Sequence, residues 1–316
     1  MSARRSQTSV FDSAVARVVP LVPHPIVRRL AAPYVAGTEL PDAVRAVQAL
    51  NREGLLATVN ILGEQVAEPR TALAAAEEYL QTLAAIHQLG LRANVSLKPS
   101  GLGSKQSWSL AGEQIERVVT RAEELGCFVR LDMEDAPTAT PTLELYRRLR
   151  AAGHQQLGVV LQARLWRSVA DVAALAALTP NVRLCKGIYL EPPRIAMQDA
   201  QAIRASFVAL LRRLLGGGSY VAIATHDEEL IVAALDTIAE LGLPREAYEF
   251  QMLLGVRGDL ARLLAEGHTV RIYVPYGPDS YAYAQRRLRE NPQLAGSVAR
   301  DLLRKLARRA RPEGAR

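Results

Sequence analysis

The chain has 316 residues, 49% of them apolar, and a formal charge of +7. That length admits one large barrel or two ordinary domains, and the apolar share excludes a disordered chain. The basic excess gathers at the ends, in "SARRSQ", "IVRRLAAP" and "RDLLRKLARRARPEGAR", not along a central groove, so a nucleic-acid partner is not expected. Two readings of the basic ends remain: solvated helical termini, or peripheral contact with an anionic membrane surface or a partner. No run approaches about 18 uninterrupted apolar residues, and no signal-type stretch opens the chain. Cys127 and Cys185 stand far apart in apolar runs. They read as buried thiols of a reducing cytoplasm, since no further ligand lies at zinc spacing.

Residues 1–54 read as an N-terminal helical arm. Its segment "FDSAVARVVPLVPHPIVRRLAAPYVAG" mixes apolar and basic residues, and its prolines break it into pieces. The first β-branched run is "LLATVNILG" (55–63), followed after an alanine-rich helix by "LRANVSLKP" (91–99). Then come "CFVRLDMED" (127–135), "QLGVVLQA" (156–163) and "NVRLCKGIYL" (181–190). "SYVAIATHD" (219–227), "YEFQMLLGV" (248–256) and "TVRIYVPYG" (269–277) complete the set. Stretches such as "TPTLELYRRLRAAG" and "DEELIVAALDTIAELG" lie between them, with apolar residues at helical spacing and a closing glycine. Strand–helix alternation calls for a parallel sheet, and eight repeats predict a closed (βα)8 TIM barrel over residues 55–292. An open doubly wound sheet would want a glycine-rich turn after the first strand, where "NILGEQVAE" has a single glycine. Residues 293–316 read as a basic helical tail that covers the barrel, mediates homo-oligomer formation or approaches lipid.

A barrel carries its function at the C-terminal ends of its strands. Those ends hold Lys98, then Asp132, Met133, Glu134 and Asp135, then Gln162. Strand five brings Arg183, Lys186 and Tyr189; strand six Thr225, His226 and Asp227; strand seven Gln251 and Met252; strand eight Tyr273 and Tyr276. One such residue would be an ordinary structural partner. Ionizable and polar groups gathered at the strand ends predict a mouth built for a large polar ligand or cofactor. The helix after strand eight, "YAYAQRRLRENP" (281–292), places Tyr283, Arg286, Arg287 and Glu290 on one strip. A C-terminal helix capping the barrel mouth would turn that strip inward. Its paired guanidinium forks suit a carboxylate or phosphate, with Glu290 holding Arg286 one turn away.

Those residues fit the Tyr-x-x-Arg-Arg-x-x-Glu signature of proline dehydrogenases. "VSLKPSGLG", "VRLDMED", "LQARLW", "VRLCKGIYLE", "ATHDEE", "FQMLLGVR" and "RIYVPYG" resemble the same family in the same order. The chain looks like its small monofunctional bacterial form. The resemblance implies a (βα)8 barrel with noncovalent FAD that oxidises L-proline to Δ1-pyrroline-5-carboxylate and passes electrons to membrane quinone. It implies that Lys98, Arg286 and Arg287 clamp the substrate carboxylate, and that Tyr189, Leu253, Tyr273 and Tyr283 surround the proline ring. Asp132 is implied at the active site and Arg183 near flavin N5. Met133, Gln162, Lys186, Gly187, Ile188, Thr225 and His226 are implied around the cofactor, with Lys186 or His226 near the negative charge of reduced flavin.

Two other readings compete. A Schiff-base aldolase on the same barrel would use Lys98 or Lys186 as nucleophile, with Asp132 as proton shuttle beside Lys98. A basic binding module would bind nucleic acid or lipid in a salt-sensitive way, without a cofactor.

Overall fold

The structure, a computed structural model, describes residues 33–63, 68–280 and Tyr283. Eight parallel strands close into a barrel in chain order. They are β1 (Leu56–Ile61), β2 (Ala93–Leu97), β3 (Val129–Leu131), β4 (Leu157–Gln162), β5 (Asn181–Cys185), β6 (Tyr220–Ala224), β7 (Tyr248–Leu253) and β8 (Val270–Tyr276). Each of the eight runs read from the sequence contains one strand. The strands are shorter than those runs: Lys98, Asp132–Asp135, Lys186–Tyr189 and Thr225–Asp227 lie in the loops just past the last paired residues.

The helices are α1 (Leu40–Arg52), α2 (Pro69–Gln88), α3 (Trp108–Glu124), α4 (Ala136–Ala151), α5 (Ser168–Leu175), α6 (Ala200–Gly216), α7 (Glu228–Glu240) and α8 (Gly258–Ala265). Local chemistry sets their ends. Ser107 caps α3 by accepting from the amides of Ser109 and Leu110, and Asp199 caps α6 by accepting from Ala202. Helix α3 buries Ala111, Ile115, Val118, Val119 and Ala122 on one stripe, and Gly126 ends its turn at a φ of 66°. Pro141 lies within α4.

Helix α1 falls inside the predicted arm, yet it is part of the barrel wall. It packs against β1 and β8, burying Ala43 and Val47. It thus covers the flank between the last strand and the first, where a helix following β8 would otherwise lie. The chain leaving β8 is therefore directed elsewhere. The Gly277 amide donates to Gly37, and the Tyr283 amide donates to Asp279. The Tyr283 ring is buried against Val35 and Leu62, just past the end of β1. The remainder of the predicted capping helix, the segment 1–32 and the tail 293–316 lie outside the described residues.

Strand alternation divides the core in two. Val95, Leu97, Val129, Leu131, Val159 and Leu161 are buried between sheet and helices. Their neighbours Asn60, Ser96, Arg130, Arg183, Glu249 and Gln251 are buried polar residues that bond across the barrel. Most barrels fill this space with branched apolar side chains; here hydrogen-bonded polar side chains occupy it. Both cysteines are free thiols. Cys127 is buried, but Cys185 is only partly so, against the expectation of two buried thiols; desolvation pushes the Cys185 thiol up to about 11, which favours its protonated form. No described helix is long and apolar enough to cross a membrane.

Candidate active site

A cavity of about 820 Å³ opens at the C-terminal ends of the strands. Every predicted site residue among those described lines it: Lys98, Asp132, Met133, Gln162, Arg183 and Lys186; Gly187, Ile188, Tyr189 and Thr225; His226, Leu253, Tyr273 and Tyr283. Arg286, Arg287 and Glu290 lie outside the described residues. Three of the strand-end residues grouped with the mouth do not line the cavity: Glu134 accepts from the amide and hydroxyl of Ser100, Asp135 precedes the first residue of α4, and Tyr276 points away. Tyr276 faces the helices, where its hydroxyl meets that of Thr82 at 2.8 Å. It sits three residues after the inward-facing Tyr273, and an odd step along a strand lands on the opposite face.

The centre of the site is an ion pair. Arg183 Nη1 donates to Asp132 Oδ1 at 2.6 Å, and both side chains are about nine-tenths buried. Ser96 Oγ donates to the same oxygen at 2.7 Å, and Tyr273 Oη donates to Oδ2 at 3.4 Å. The Arg183 guanidinium lies 5.5 Å from the centre of the Tyr273 ring, within cation–π range. Lys98 Nζ donates to Asn60 Oδ1 at 3.1 Å. Asn60 in turn donates to the Ser96 carbonyl at 2.9 Å, so the ammonium is held on the same polar layer as Asp132.

A second charged group sits at the edge of the mouth. Asp227 Oδ2 receives Lys186 Nζ at 3.0 Å and Arg204 Nε at 2.8 Å. Burial pushes the Asp227 carboxyl up, but these hydrogen bonds and charges outweigh it and hold the group below its ordinary value. Thr225 Oγ1 accepts from the Asp227 amide at 3.1 Å, fixing the turn. His226 Nε2 accepts from the Leu253 amide at 3.0 Å. That bond requires the neutral ring with its proton on Nδ1. Arg164 Nη1 donates to the carbonyl of Tyr189 at 2.8 Å and anchors the loop after β5. Ile188 on that loop is half exposed.

Whether these residues suit a flavin can be asked of the cavity wall. Arg183 Nη2, a donor, and Gln162 Oε1, an acceptor, are both buried and without a partner among the described residues. Gln162 spends its amide nitrogen on the carbonyls of Glu134 and Met133, at 2.7 and 3.4 Å, so Oε1 is its remaining function. Gly187 has a φ of +95°, and a Cβ there would lie 2.6 Å from Gln162 Oε1 and 2.9 Å from the Arg164 side chain. Buried donors and acceptors of native proteins are almost always paired. A polar ring system offering both kinds of group, beside Met133 and Leu253 as apolar walls, matches what this wall lacks.

Sequence reasoning left several residues without a role. Ser96 bonds to Asp132 and Asn60 to Lys98; the two-residue period from Lys98 back to Ser96 points to the first, and nothing in the first strand's pattern points to the second. Gln251 and Asp227 stood among the strand ends without an assignment. Tyr34 and Arg204 also line the cavity. Tyr34 comes from the segment before α1 and Arg204 from α6, where nothing local distinguishes them from surface residues.

Comparison with known proteins agrees with this geometry. The family model described as proline dehydrogenase matches residues 43–300, beginning inside α1. A proline dehydrogenase of Deinococcus radiodurans is 38% identical over 279 residues, covering 87% of this chain and 90% of that one. Proline dehydrogenase 1 of Bacillus subtilis is 37% identical over 273 residues, covering 86% and 90%. Among solved structures, proline utilization A (PutA) from Bdellovibrio bacteriovorus, inactivated by N-propargylglycine, superposes with a TM-score of 0.79 at 23% identity. It matches 89% of this chain, which spans 36% of that larger protein, and it speaks for the fold. Neither the aldolase nor the basic binding module finds support in these matches. From the co-linear match over most of its length and the eight-stranded barrel with its charged mouth, the chain belongs to the proline dehydrogenase family.

Proposed function

We propose that the protein oxidises L-proline to Δ1-pyrroline-5-carboxylate, the first step of proline catabolism to glutamate, using FAD and delivering the electrons to membrane quinone. It would work in the cytoplasm, meeting the quinone through peripheral contact with the inner face of the membrane. The observation that carries this reading is the buried Arg183–Asp132 pair at 2.6 Å on the wall of a large cavity, in a chain of this family. FAD, when bound, supplies the hydride acceptor at N5, which is chemistry no side chain offers.

The chain's own residues would do the rest. Lys98, with Arg286 and Arg287, would hold the substrate carboxylate, and Glu290 would steady Arg286. Tyr189, Leu253, Tyr273 and Tyr283 would enclose the pyrrolidine ring. Each buried methylene contributes only about 0.8 kcal/mol, so the cationic clamp must supply most of the preference for an amino acid. Asp132 holds Arg183 in place and offsets its charge, and Arg183 would direct its remaining N–H at the reacting centre. Gln162, Met133, Lys186, Gly187 and Ile188 would hold the cofactor, together with Thr225 and His226. As the neutral tautomer, His226 is a donor through Nδ1, suited to a site where negative charge develops.

The test is a visible spectrum of the purified protein. The expected result is a yellow protein whose flavin band disappears when L-proline is added without oxygen. A colourless protein that gains no flavin from added FAD, or a flavin band that proline leaves unchanged, would overturn the proposal.

A further inference from the structure

Arg183 is held from two sides. Nη1 is bound to Asp132 and, at 3.2 Å, to Ser96 Oγ. Nε donates to Gln251 Oε1 at 2.6 Å. The direction in which Nη2 points is therefore fixed as much by Gln251 as by Asp132. An amide has two unlike ends, and only its oxygen can face an arginine N–H. If the Gln251 amide turned over, a donor would oppose a donor inside the barrel, and the guanidinium would have to move.

The barrel contains a device that sets the amide's direction. Glu249 is two residues earlier on β7 and so projects from the same face. It receives Gln251 Nε2 at 2.5 Å. A carboxylate has no donor to offer, so it accepts only the nitrogen end of the amide. Glu249 is itself buried, 2% exposed, and Arg271 Nε holds both of its oxygens at 2.9 and 3.0 Å. Arg271 is anchored in turn by donating to the Ala57 carbonyl at 2.8 Å. A chain of one-directional hydrogen bonds thus runs up the barrel axis: Arg271 to Glu249, Gln251 to Glu249, Arg183 to Gln251, Arg183 to Asp132.

We infer that Gln251 is a positioning residue for Arg183, and that the buried Glu249–Arg271 pair near the base of the barrel fixes the orientation of the Gln251 amide. The inference rests on the reading that Arg183 serves the flavin and its substrate. A pair placed in a barrel interior for stability alone would have no need of an amide bridging it to the mouth.

The experiment compares Gln251→Met and Glu249→Gln with wild type, as full-length protein carrying FAD. It measures kcat and KM for proline separately, the midpoint potential of the bound flavin by mediated reduction without proline, and the melting temperature. Gln251→Met keeps the bulk and removes the acceptor. It is expected to lower kcat at least about tenfold with a much smaller change in KM, and to lower the midpoint potential as the guanidinium turns away. Glu249→Gln is expected to shift both quantities in the same direction by less. Wild-type kcat and potential in both variants would overturn the inference, and so would a lowered melting temperature with kcat and potential unchanged. Should Gln251→Met fail to fold, Glu249→Gln decides by the same readouts. A wild-type protein that proline cannot reduce would instead remove the functional reading, and the mediated potentials would still judge the positioning.

Discussion

Arg183 and Asp132 face one another at 2.6 Å with about a tenth of either side chain exposed. Neither could be buried alone: an isolated charge in a low-dielectric interior is costly, and each neutralises the other. Asp132→Asn keeps the shape and removes the charge. Breaking a buried pair from one side costs about 3–5 kcal/mol. Because this pair borders a cavity that water can reach, the low end applies. Thermal unfolding is expected to fall by several degrees, at about 2–4 °C per kcal/mol for a domain of this size. The kcat/KM for proline should fall at least about tenfold, as Arg183 loses its anchor. A variant with wild-type turnover would show that the carboxylate serves folding only.

Gly187 offers a sharper test of the wall proposed to hold the cofactor. Its φ of +95° disfavours any side chain, and a Cβ would press on Gln162 Oε1 at 2.6 Å. Gly187→Ala should destabilise the protein by about 1–2 kcal/mol and push the Gln162 amide off its place. The expected signature is a purified protein with less bound flavin, regained only at raised FAD concentration. Full flavin content after gel filtration would show that Gln162 does not face the cofactor.

The sequence made the barrel legible because each strand and helix carries its own periodic signal, and eight repeats leave little choice of closure. The strand-end residues are legible for the same reason: Lys98, Asp132 and Gln162 follow from where each apolar run stops, while Arg183 stands out as a charge inside the apolar run of β5. What escaped notice depends on register and on packing between distant segments. Tyr276 was grouped with the mouth because it ends a strand, yet the two-residue period turns it toward Thr82. Arg204 meets Asp227 across 23 residues from the second turn of α6, where it looks like any solvated arginine. The role of α1 as a wall helix against β8 depends on contact between the two ends of the barrel, which no local pattern encodes.

Asp227 gives a pH-dependent prediction. Its folded pKa is held below the ordinary 3.8 by Lys186 and Arg204, against the effect of burial. A depressed carboxylate contributes stability above its unfolded pKa and loses it as pH falls through the folded value. Wild type should therefore exceed Asp227→Asn by a constant margin from about pH 7 to pH 5, in the range of 1–2 kcal/mol given the partial exposure of both cations. The margin should shrink below about pH 4. Urea unfolding of the two proteins across that range measures it. A margin that persists unchanged through the acid limb would mean the ion pairs contribute nothing.

The paired arginines after β8 carry the substrate prediction drawn from the family signature. If Arg287 binds the carboxylate of proline, Arg287→Met removes binding energy that ground and transition states share. The apparent KM should then rise at least about tenfold, at roughly 1.4 kcal/mol per decade, with kcat less affected. Steady-state kinetics over a wide range of proline concentration decide it, and an unaltered KM would exclude Arg287 as a carboxylate ligand.

In the proposed reaction proline would reach the site as an ammonium, and hydride would depart only from the neutral amine. Among the described residues lining the mouth, none is placed as a dedicated base. Asp132 accepts from Arg183, Ser96 and Tyr273, Asp227 is committed to Lys186 and Arg204, and Glu228 and Glu229, which also line the cavity, are paired with Arg257 and Arg204. His226 is neutral, but its one basic nitrogen already accepts from the Leu253 amide. Deprotonation would then fall to solvent, and the rate of flavin reduction under saturating proline should climb from neutral into alkaline pH as more bound substrate sheds its proton. Stopped-flow bleaching of the flavin band isolates that step from quinone reduction. A level profile across the range would require a built-in base with a pKa below neutrality, and would reopen the assignment of Asp132.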